Sequence, residues 1–527
     1  MSRLFSLGAL AASRRSPRIY AIAALFLWCA PLLAQESKGS SASAATTFAH
    51  QNADAGEQKA SSQSDQSARI TRVENGLLPA IVIKGQLAPT MTIAERMRHY
   101  AVPGVSVAFF EHGRIAWTRA YGFADVAHKN LVTPETLFQA ASISKPVSAL
   151  VALRLVQDGK VDLDEDVNVK LRGWKLPENE FTKEQKVTLR RILSHTAGLT
   201  VHGFPGYASG EVLPTTIQIL NGEKPANTEP IRVDTVPGTQ WRYSGGGYVV
   251  MQLLLTDVTG KKFPQLVNDL VLQPAGMTHS TCEQPLPQQF WSLAATAYRA
   301  NGEAVPGGWH TYPELGPGCL WTTPSDLARL AIEVQNEFAG KSKKIVSQEM
   351  MRQMLTQQRD DWGLGFRLET PGQARRFSHG GSNEGYRCRL EAYIDSDQGF
   401  VIMTNSDNGE PLEEEVLRAV AKEYNWPDFQ PAERILVKVD PGLLANYAGS
   451  YEEPNVGKMT VTLKQGKLYL QAAPIGPNPE ELLAESDTGF FLLSRDLKFI
   501  FQRDEKESVS KLIIQVGPRA FEAKKLP

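Results

Sequence analysis

Two hairpin patterns stand at opposite ends of a long stretch that otherwise reads as helix and loop, and any fold has to accommodate both. The first, "GVSVAFFEHGRIAWTRAYG", has β-rich runs at 105–110 and 114–121 around a His112-Gly113 turn. The second, "CRLEAYIDSDQGFVIMTN", turns near 396–399. Strands at both ends with helices between them predict one α+β unit whose antiparallel sheet is closed by distant parts of the chain.

The flanks are of different material, and at 527 residues the chain exceeds one ordinary core. Arg3, Arg14, Arg15 and Arg18 precede an apolar run from Ile19 to about Ala34. That run is short for a membrane span, and the pattern predicts a signal peptide at 1–34 and an exported protein, periplasmic or secreted. From about Glu36 to Arg69 the composition is Ser, Ala, Gln, Thr and Gly with almost no large apolar residue, which predicts a disordered linker over 35–74. After the prolines of "WPDFQPAER" the texture changes again: "KMTVTLKQGKLYLQ", "FFLLSRDLKFIFQRD" and "KLIIQVG" read as short strands, a small antiparallel β-barrel domain over 440–527. Lys+Arg 56 against Asp+Glu 57 leaves no basic surface for nucleic acid. Beyond the leader the cysteines are Cys282, Cys319 and Cys388, which permit at most one internal bridge.

Chemistry concentrates at "QAASISKPVSAL", residues 139–150. Val147, Leu150, Val151 and Leu155 fall at i, i+3, i+4 and i+8, predicting a helix from about Ser142 to the Asp158-Gly159 stop. Pro146 is tolerable only near its first turn. Ser142 and Ser148 share a face with Lys145, whereas adjacent Ser144 does not. Only Ser142 also sits at the helix start, where free N–H groups and the dipole favour an oxyanion. A serine nucleophile needs a base, and a lysine qualifies when desolvation lowers its pKa toward about 7–8. Taken alone, the same residues also fit an N-cap serine followed by an exposed lysine.

"SISK" at a helix start, "YSG" at 243–245 and "HGG" at 379–381 resemble the three active-site elements of the serine β-lactamase and penicillin-binding-protein superfamily. With "LRRILSHTAGL" at 189–199, "PGTQWRYSGGGYVVMQLLL" at 237–255, "LWTTPSDLARL" at 320–330 and "FSHGGSNEGYRC" at 377–388, the order is similar to the class C-like branch. That branch holds esterases, D-aminopeptidases and D-Ala-D-Ala carboxypeptidases, and the likeness runs from about Pro89 to Asn425. It implies a hydrolase domain over 75–428, with an antiparallel sheet flanked by helices and a helical subdomain. It further implies Ser142 as acylated nucleophile, Lys145 as its proton acceptor, and Tyr243 as proton shuttle, its pKa lowered by Lys145 and the helix end. The backbone N–H groups of Ser142 and Ser382 would form the oxyanion hole. His379 would meet a substrate carboxylate or steady Tyr243, and Gly380, Gly381 and Gly245 would line the substrate. The C-terminal module resembles a lipocalin-like domain that shapes the site, supports homo-oligomers or binds a partner.

Two departures from β-lactamases bear on substrate. Gly245 stands where they carry an amide-binding asparagine, and His379 where they carry a permanently charged lysine, so efficient β-lactam hydrolysis is disfavoured. His195 reads as part of a structural turn and Cys319 as a small buried thiol. No HExxH or paired-cysteine spacing argues for a metal, and no cofactor is implied. The expected activity is therefore hydrolysis of esters or small peptide or D-amino-acid amides through an acyl-serine. Weak β-lactamase or D-Ala-D-Ala carboxypeptidase activity is the alternative. A non-catalytic penicillin-binding-like sensor is a second, and Ser142, Lys145 and Tyr243 together speak against it.

Overall fold

Each strand of the first hairpin has apolar residues at both odd and even positions, so both faces must be covered. The computed structural model describes residues 64–527 apart from 371, 373, 455, 474, 476, 477, 504–507, 517 and 518. Before the C-terminal module its strands are β1 (Ile81–Ile83), β2 (Gly104–Glu111), β3 (Arg114–Asp125), β4 (Asn130–Leu131), β5 (Phe138–Gln139), β6 (Trp321–Thr322), β7 (Arg367–Glu369), β8 (Arg376–Asn383), β9 (Tyr386–Tyr393), β10 (Gly399–Thr404) and β11 (Ala432–Arg434). A seven-stranded sheet runs β4-β3-β2-β10-β9-β8-β7. Its centre joins the two distant hairpins, with Val105 of β2 opposite Thr404 of β10 in antiparallel register. His112 at φ 52° and Gly113 at φ 71° make the tight first turn.

Val105, Val107 and Phe109 face one core, shared with the helices Ile93–Tyr100 and Gly409–Glu423. Ala108 and Phe110 face the other, shared with the helix Ser144–Gln157. That helix lies between the sheet and the helices on that side and is buried continuously from Ser144 through Leu153, not along one stripe. It is entered through the 3₁₀ turn Ala141–Ile143 and ends at Asp158 before Gly159 (φ 69°).

The leader at 1–34 and the linker as far as 63 lie outside the described residues. The end of the expected linker does not behave as one: residues 66–74 are helical, with Ile70 and Val73 buried. The spacing of these two residues and Leu77 is sufficient to dock a short helix on the second core despite a polar composition.

The C-terminal module is a closed barrel of eight strands, β12 (Gly449–Glu453), β13 (Gly457–Lys464), β14 (Lys467–Ala472), β15 (Glu480–Ala484), β16 (Gly489–Phe491), β17 (Lys498–Arg503), β18 (Val509–Val516) and β19 (Arg519–Lys525). Tyr447, Tyr451, Phe490 and Phe501 fill its interior. It is tied to the rest through parallel β1–β11, through Ile81 N–H to Leu493 O (3.0 Å) and through Phe491 packed on Ala80 and Ile81. It also meets the end of the helix Ile93–Tyr100, where His99 and Tyr100 face Glu480 and Arg495 across a 380 Å³ cleft. The helix Ile93–Tyr100 that it meets belongs to the core on the other side of the sheet from the helix Ser144–Gln157.

Ile70→Ala is expected to destabilise the fold by about 2 kcal/mol in urea unfolding, whereas the same change in a free tether would have no effect.

Candidate active site

A buried amine governs the site. Lys145 occupies the first turn of the helix Ser144–Gln157 and is 2% exposed. Its Nζ lies 2.9 Å from Ser142 Oγ and 3.4 Å from the Pro317 carbonyl. Desolvation alone pulls its pKa down to about 7, so near neutral pH a large fraction is free amine, a form able to accept a proton. Ser142 is held in the 3₁₀ turn directly after Ala141, whose φ of 47° is a strained value for a residue with a side chain. The first backbone bond of that turn is Ile143 N–H to Ala140 O, so the Ser142 N–H is not used by the turn itself.

The three serines of the segment divide the work. Ser144 Oγ accepts from Leu320 N–H at 2.9 Å, and Ser148 Oγ donates to Gly316 O at 2.8 Å rather than meeting Lys145. Both anchor the helix to the segment that carries the Pro317 carbonyl.

Tyr243 precedes the helix Gly245–Thr259, and Ser244 caps it, accepting from Gly247 N–H at 3.0 Å. Lys145 Nζ stands 4.7 Å from the Tyr243 ring centroid. The expected lowering of the phenol pKa is not found: burial raises it, and the nearby Ser142 hydroxyl offsets this only in part. Tyr243 is therefore a neutral phenol rather than a standing phenolate. His195 lies in the turn after the helix Leu189–Leu193, as expected, and also packs against the site. Its Nδ1 accepts from Ser244 N–H at 3.1 Å, and its ring stacks 4.2 Å from Tyr243.

His379 lies on β8, with ring centroid 6.4 Å from that of Tyr243. Its Nδ1–H donates to Gly380 O at 2.6 Å, leaving Nε2 buried without a protein partner. Burial, then the Lys145 charge, hold its pKa down to about 3. A neutral imidazole cannot clamp a carboxylate by charge, which corrects the anchoring role considered from sequence.

Strand β7 ends opposite Ser378, so Gly380 and Ser382 lie on a free edge and both are exposed. The two-residue turn Glu384-Gly385 makes Asn383–Tyr386 a hydrogen-bonded pair; by alternation the Ser382 N–H points away from β9 into the cleft. The glycines differ. An added Cβ at Gly381 would sit 2.3 Å from Ala140 O and 2.4 Å from Cys388 Sγ, whereas at Gly380 its nearest neighbour is 3.8 Å away. Gly381 thus allows β8 to close on the nucleophile turn. Gly245 is also a packing position, because its Cβ would meet His202 O and the Phe204 ring, each at 3.0 Å. Neither lines the substrate as expected.

Sequence reasoning missed Trp241 and Trp362. They stack 5.7 Å apart, and Trp362 meets His195 at 4.9 Å and His379 at 5.5 Å, forming an aromatic wall behind Tyr243. Trp241 could have been noticed two residues before Tyr243; the placement of Trp362 depends on tertiary contacts. Cys319 is disulfide-bonded to Cys282, not a thiol, and Cys388 is the free cysteine among the described residues. Among those residues no cluster suits a metal ion.

A family model described as beta-lactamase matches residues 90–425. The chain belongs to the beta-lactamase family. Members of this family are typically serine hydrolases. Residues 433–525 match a domain of unknown function. Penicillin-binding protein 4* of Bacillus subtilis (strain 168) is 25% identical over 426 residues, 77% of this chain and 92% of that protein. The octameric penicillin-binding protein homologue from Pyrococcus abyssi shares the fold with a TM-score of 0.55 at 21% identity, over 82% of this chain and 98% of that one. A penicillin-binding protein from Bacillus halodurans does so with a TM-score of 0.51 at 20% identity, over 63% and 98%. The α+β sheet and helices of this beta-lactamase-family chain, with its appended barrel, follow the fold expected from its motifs.

Two outcomes check the geometry. Gly381→Ala should lower stability by about 2 kcal/mol or more in thermal unfolding, and Gly380→Ala by about 0.5 kcal/mol or less. Lys145 titrates near pH 7 when folded and near 10.4 when unfolded, so between those values the unfolded chain holds the extra proton and stability rises with pH. Lys145→Met should therefore stabilise the protein by roughly 3 kcal/mol at pH 7, a gain that shrinks toward pH 10. A gain independent of pH would contradict a neutral buried amine.

Proposed function

We propose that the protein is an exported serine hydrolase that acylates Ser142 with esters or with small peptide or D-amino-acid amides lacking a carboxylate beside the scissile bond. The observation that carries this reading is the desolvated Lys145 amine 2.9 Å from Ser142 Oγ. Ser142 Oγ attacks the substrate carbonyl carbon while its proton passes to Lys145 Nζ. The oxyanion is met by the N–H groups of Ser142 and Ser382. As the tetrahedral intermediate collapses, the proton moves from Lys145 through the Tyr243 hydroxyl to the leaving oxygen or nitrogen, and the acyl-serine remains. Water then attacks that ester, the same pair takes its proton, and Ser142 recovers it as the acid leaves.

Substrate preference follows from charge. The neutral His379 supplies no fixed cation where a carboxylate would dock, which supports esters and neutral amides over penicillins and C-terminal D-alanine peptides. The aromatic wall of Trp241 and Trp362 favours apolar acyl groups. Export is supported by the charged and apolar pattern of 1–34 and by the Cys282–Cys319 bridge, which suits an oxidising compartment. The barrel is proposed as a surface for self-association; a structural relative is described as octameric.

Intact-mass analysis after incubation with a fluorophosphonate, and separately with benzylpenicillin, tests the reading. A single fluorophosphonate adduct lost in Ser142→Ala, forming faster as pH rises through about 7, is expected, with little penicillin adduct. No adduct from either reagent on folded protein would refute the hydrolase reading, and dominant penicillin labelling would reverse the substrate preference.

A further inference from the structure

The segment Leu315–Trp321 forms the back of the nucleophile's seat, yet little of its own structure can hold it there. Its helical part, Leu315–Gly318, is a single turn containing two glycines and a proline. It is joined to the nucleophile segment at four points: Ala140 N–H to Leu320 O (2.8 Å), Leu320 N–H to Ser144 Oγ (2.9 Å), Ser148 Oγ to Gly316 O (2.8 Å) and Lys145 Nζ to Pro317 O (3.4 Å). On its other side Cys319 is bonded to Cys282, thirty-seven residues earlier, with Cα atoms 4.8 Å apart. Thr281 and Trp321 flank that bond and exchange two 2.9 Å backbone hydrogen bonds, and Gln284 Nε2 donates to Cys319 O at 3.1 Å.

We propose that the Cys282–Cys319 disulfide is a positioning element of the active site, clamping the Gly316 and Pro317 carbonyls against Ser148 and Lys145 so that the Lys145 seat stays closed to water. The inference rests on reading Lys145 as the base. Neither sulfur touches the reacting atoms; the bridge acts through the carbonyls next to it. Opening it frees the single turn to move away from Lys145, water enters, and the amine regains a pKa nearer that of an exposed lysine.

The groups facing Lys145 come from several elements: Ser142 in its own segment, Tyr243 and Tyr248 around the start of the helix Gly245–Thr259, His195 and His202 from the preceding loops, and His379 from β8. Burial lowers all three histidines below their ordinary range. At pH 7 and above they are neutral, but Glu314, at the N-cap of the same turn, is raised by burial to about 7, so a change of the acid limb is assigned to Lys145 by following the Lys145 signal itself.

A dithiol such as dithiothreitol opens the bridge by exchange. One thiolate attacks a bridge sulfur, expels the other cysteine as thiolate and forms a mixed disulfide. The second thiolate closes the reagent's ring and expels the remaining cysteine. The reagent loses two electrons, the bridge gains them, and two protons end on Cys282 and Cys319. Both cysteines are buried, so exchange needs local opening, and a Cys282→Ala/Cys319→Ala variant reaches the same state without it.

The test begins with peptide mapping of the full chain, where a Cys282–Cys319 linked peptide is expected and two free thiols would overturn the proposal. The folded double variant is then compared with wild type for fluorophosphonate labelling of Ser142 from pH 6 to pH 10. Expected is an acid limb displaced upward by about one unit, hence a roughly five-fold loss at pH 7 that is largely recovered by pH 9. A merely destabilised protein would not recover at alkaline pH, and an unchanged limb overturns the proposal. If the double variant does not fold, the same profile is read on dithiothreitol-treated wild type with its bridge shown open. NMR titration of the Lys145 ε-carbon requires no turnover, so it distinguishes the two readings. Absence of labelling in wild type would reject the hydrolase function, whereas an identical Lys145 titration with the bridge closed and opened would reject the clamp.

Discussion

The rest of the site depends on one desolvated amine. An isolated cation inside a protein costs several kcal/mol, and Lys145 escapes most of that cost by giving up its proton. The fold keeps it dry with elements that are distant in sequence: the sheet edge at β8, the segment that precedes β6, and Tyr243 at the head of a third element. The helix Ser144–Gln157 is correspondingly buried on all sides, which is unusual for a helix that must also present a nucleophile. Access is preserved because Ser142 sits in the 3₁₀ turn before the helix proper.

That arrangement explains three serines around one lysine. A buried hydroxyl needs a partner, and each serine finds a different one: Lys145 for Ser142, Leu320 N–H for Ser144, Gly316 O for Ser148. The two flanking serines thereby convert the segment 316–320 into a fixed wall. Gly381 makes the opposite contribution by having no side chain, so that Ala140 can meet β8 directly. Seat and edge are thus set by backbone approach, and the catalytic side chains inherit their positions.

Periodicity and turn chemistry are local, and what depends on them was legible. The hairpin at His112-Gly113, the stop at Asp158-Gly159 and the antiparallel character of the C-terminal strands all follow from spacing alone. The short helix at 66–74 escaped because its composition is polar and only its contacts with the second core order it. Within the site, Ser142 and Lys145 are joined by helix geometry and were readable as a pair. His195 and Trp362 were not, since neither lies near Tyr243 in sequence and both meet it only through tertiary packing. Gly245 and Gly381 misled for a related reason. Absence of a side chain looks like room for a substrate until the neighbours that occupy the room are known.

Electrostatics then bears on selectivity in a way no single motif does. With Lys145 about half neutral near pH 7, His379 held neutral and Tyr243 protonated, the resting site contains less fixed charge than its residues would carry in water. In the proposed reaction, charge develops only as Ser142 is deprotonated, and there the Ser142 and Ser382 N–H groups and the transient Lys145 cation would oppose it at short range in a low-dielectric setting. Such a site gains more from the transition state than from a charged ground state, because a substrate carboxylate would lose its hydration without receiving a partner. On the proposed reading, affinity for the ground state would come from apolar and aromatic surface rather than from charge. Selection would then fall on the shape of the acyl group, while the leaving group would be limited by what the Tyr243 hydroxyl can protonate.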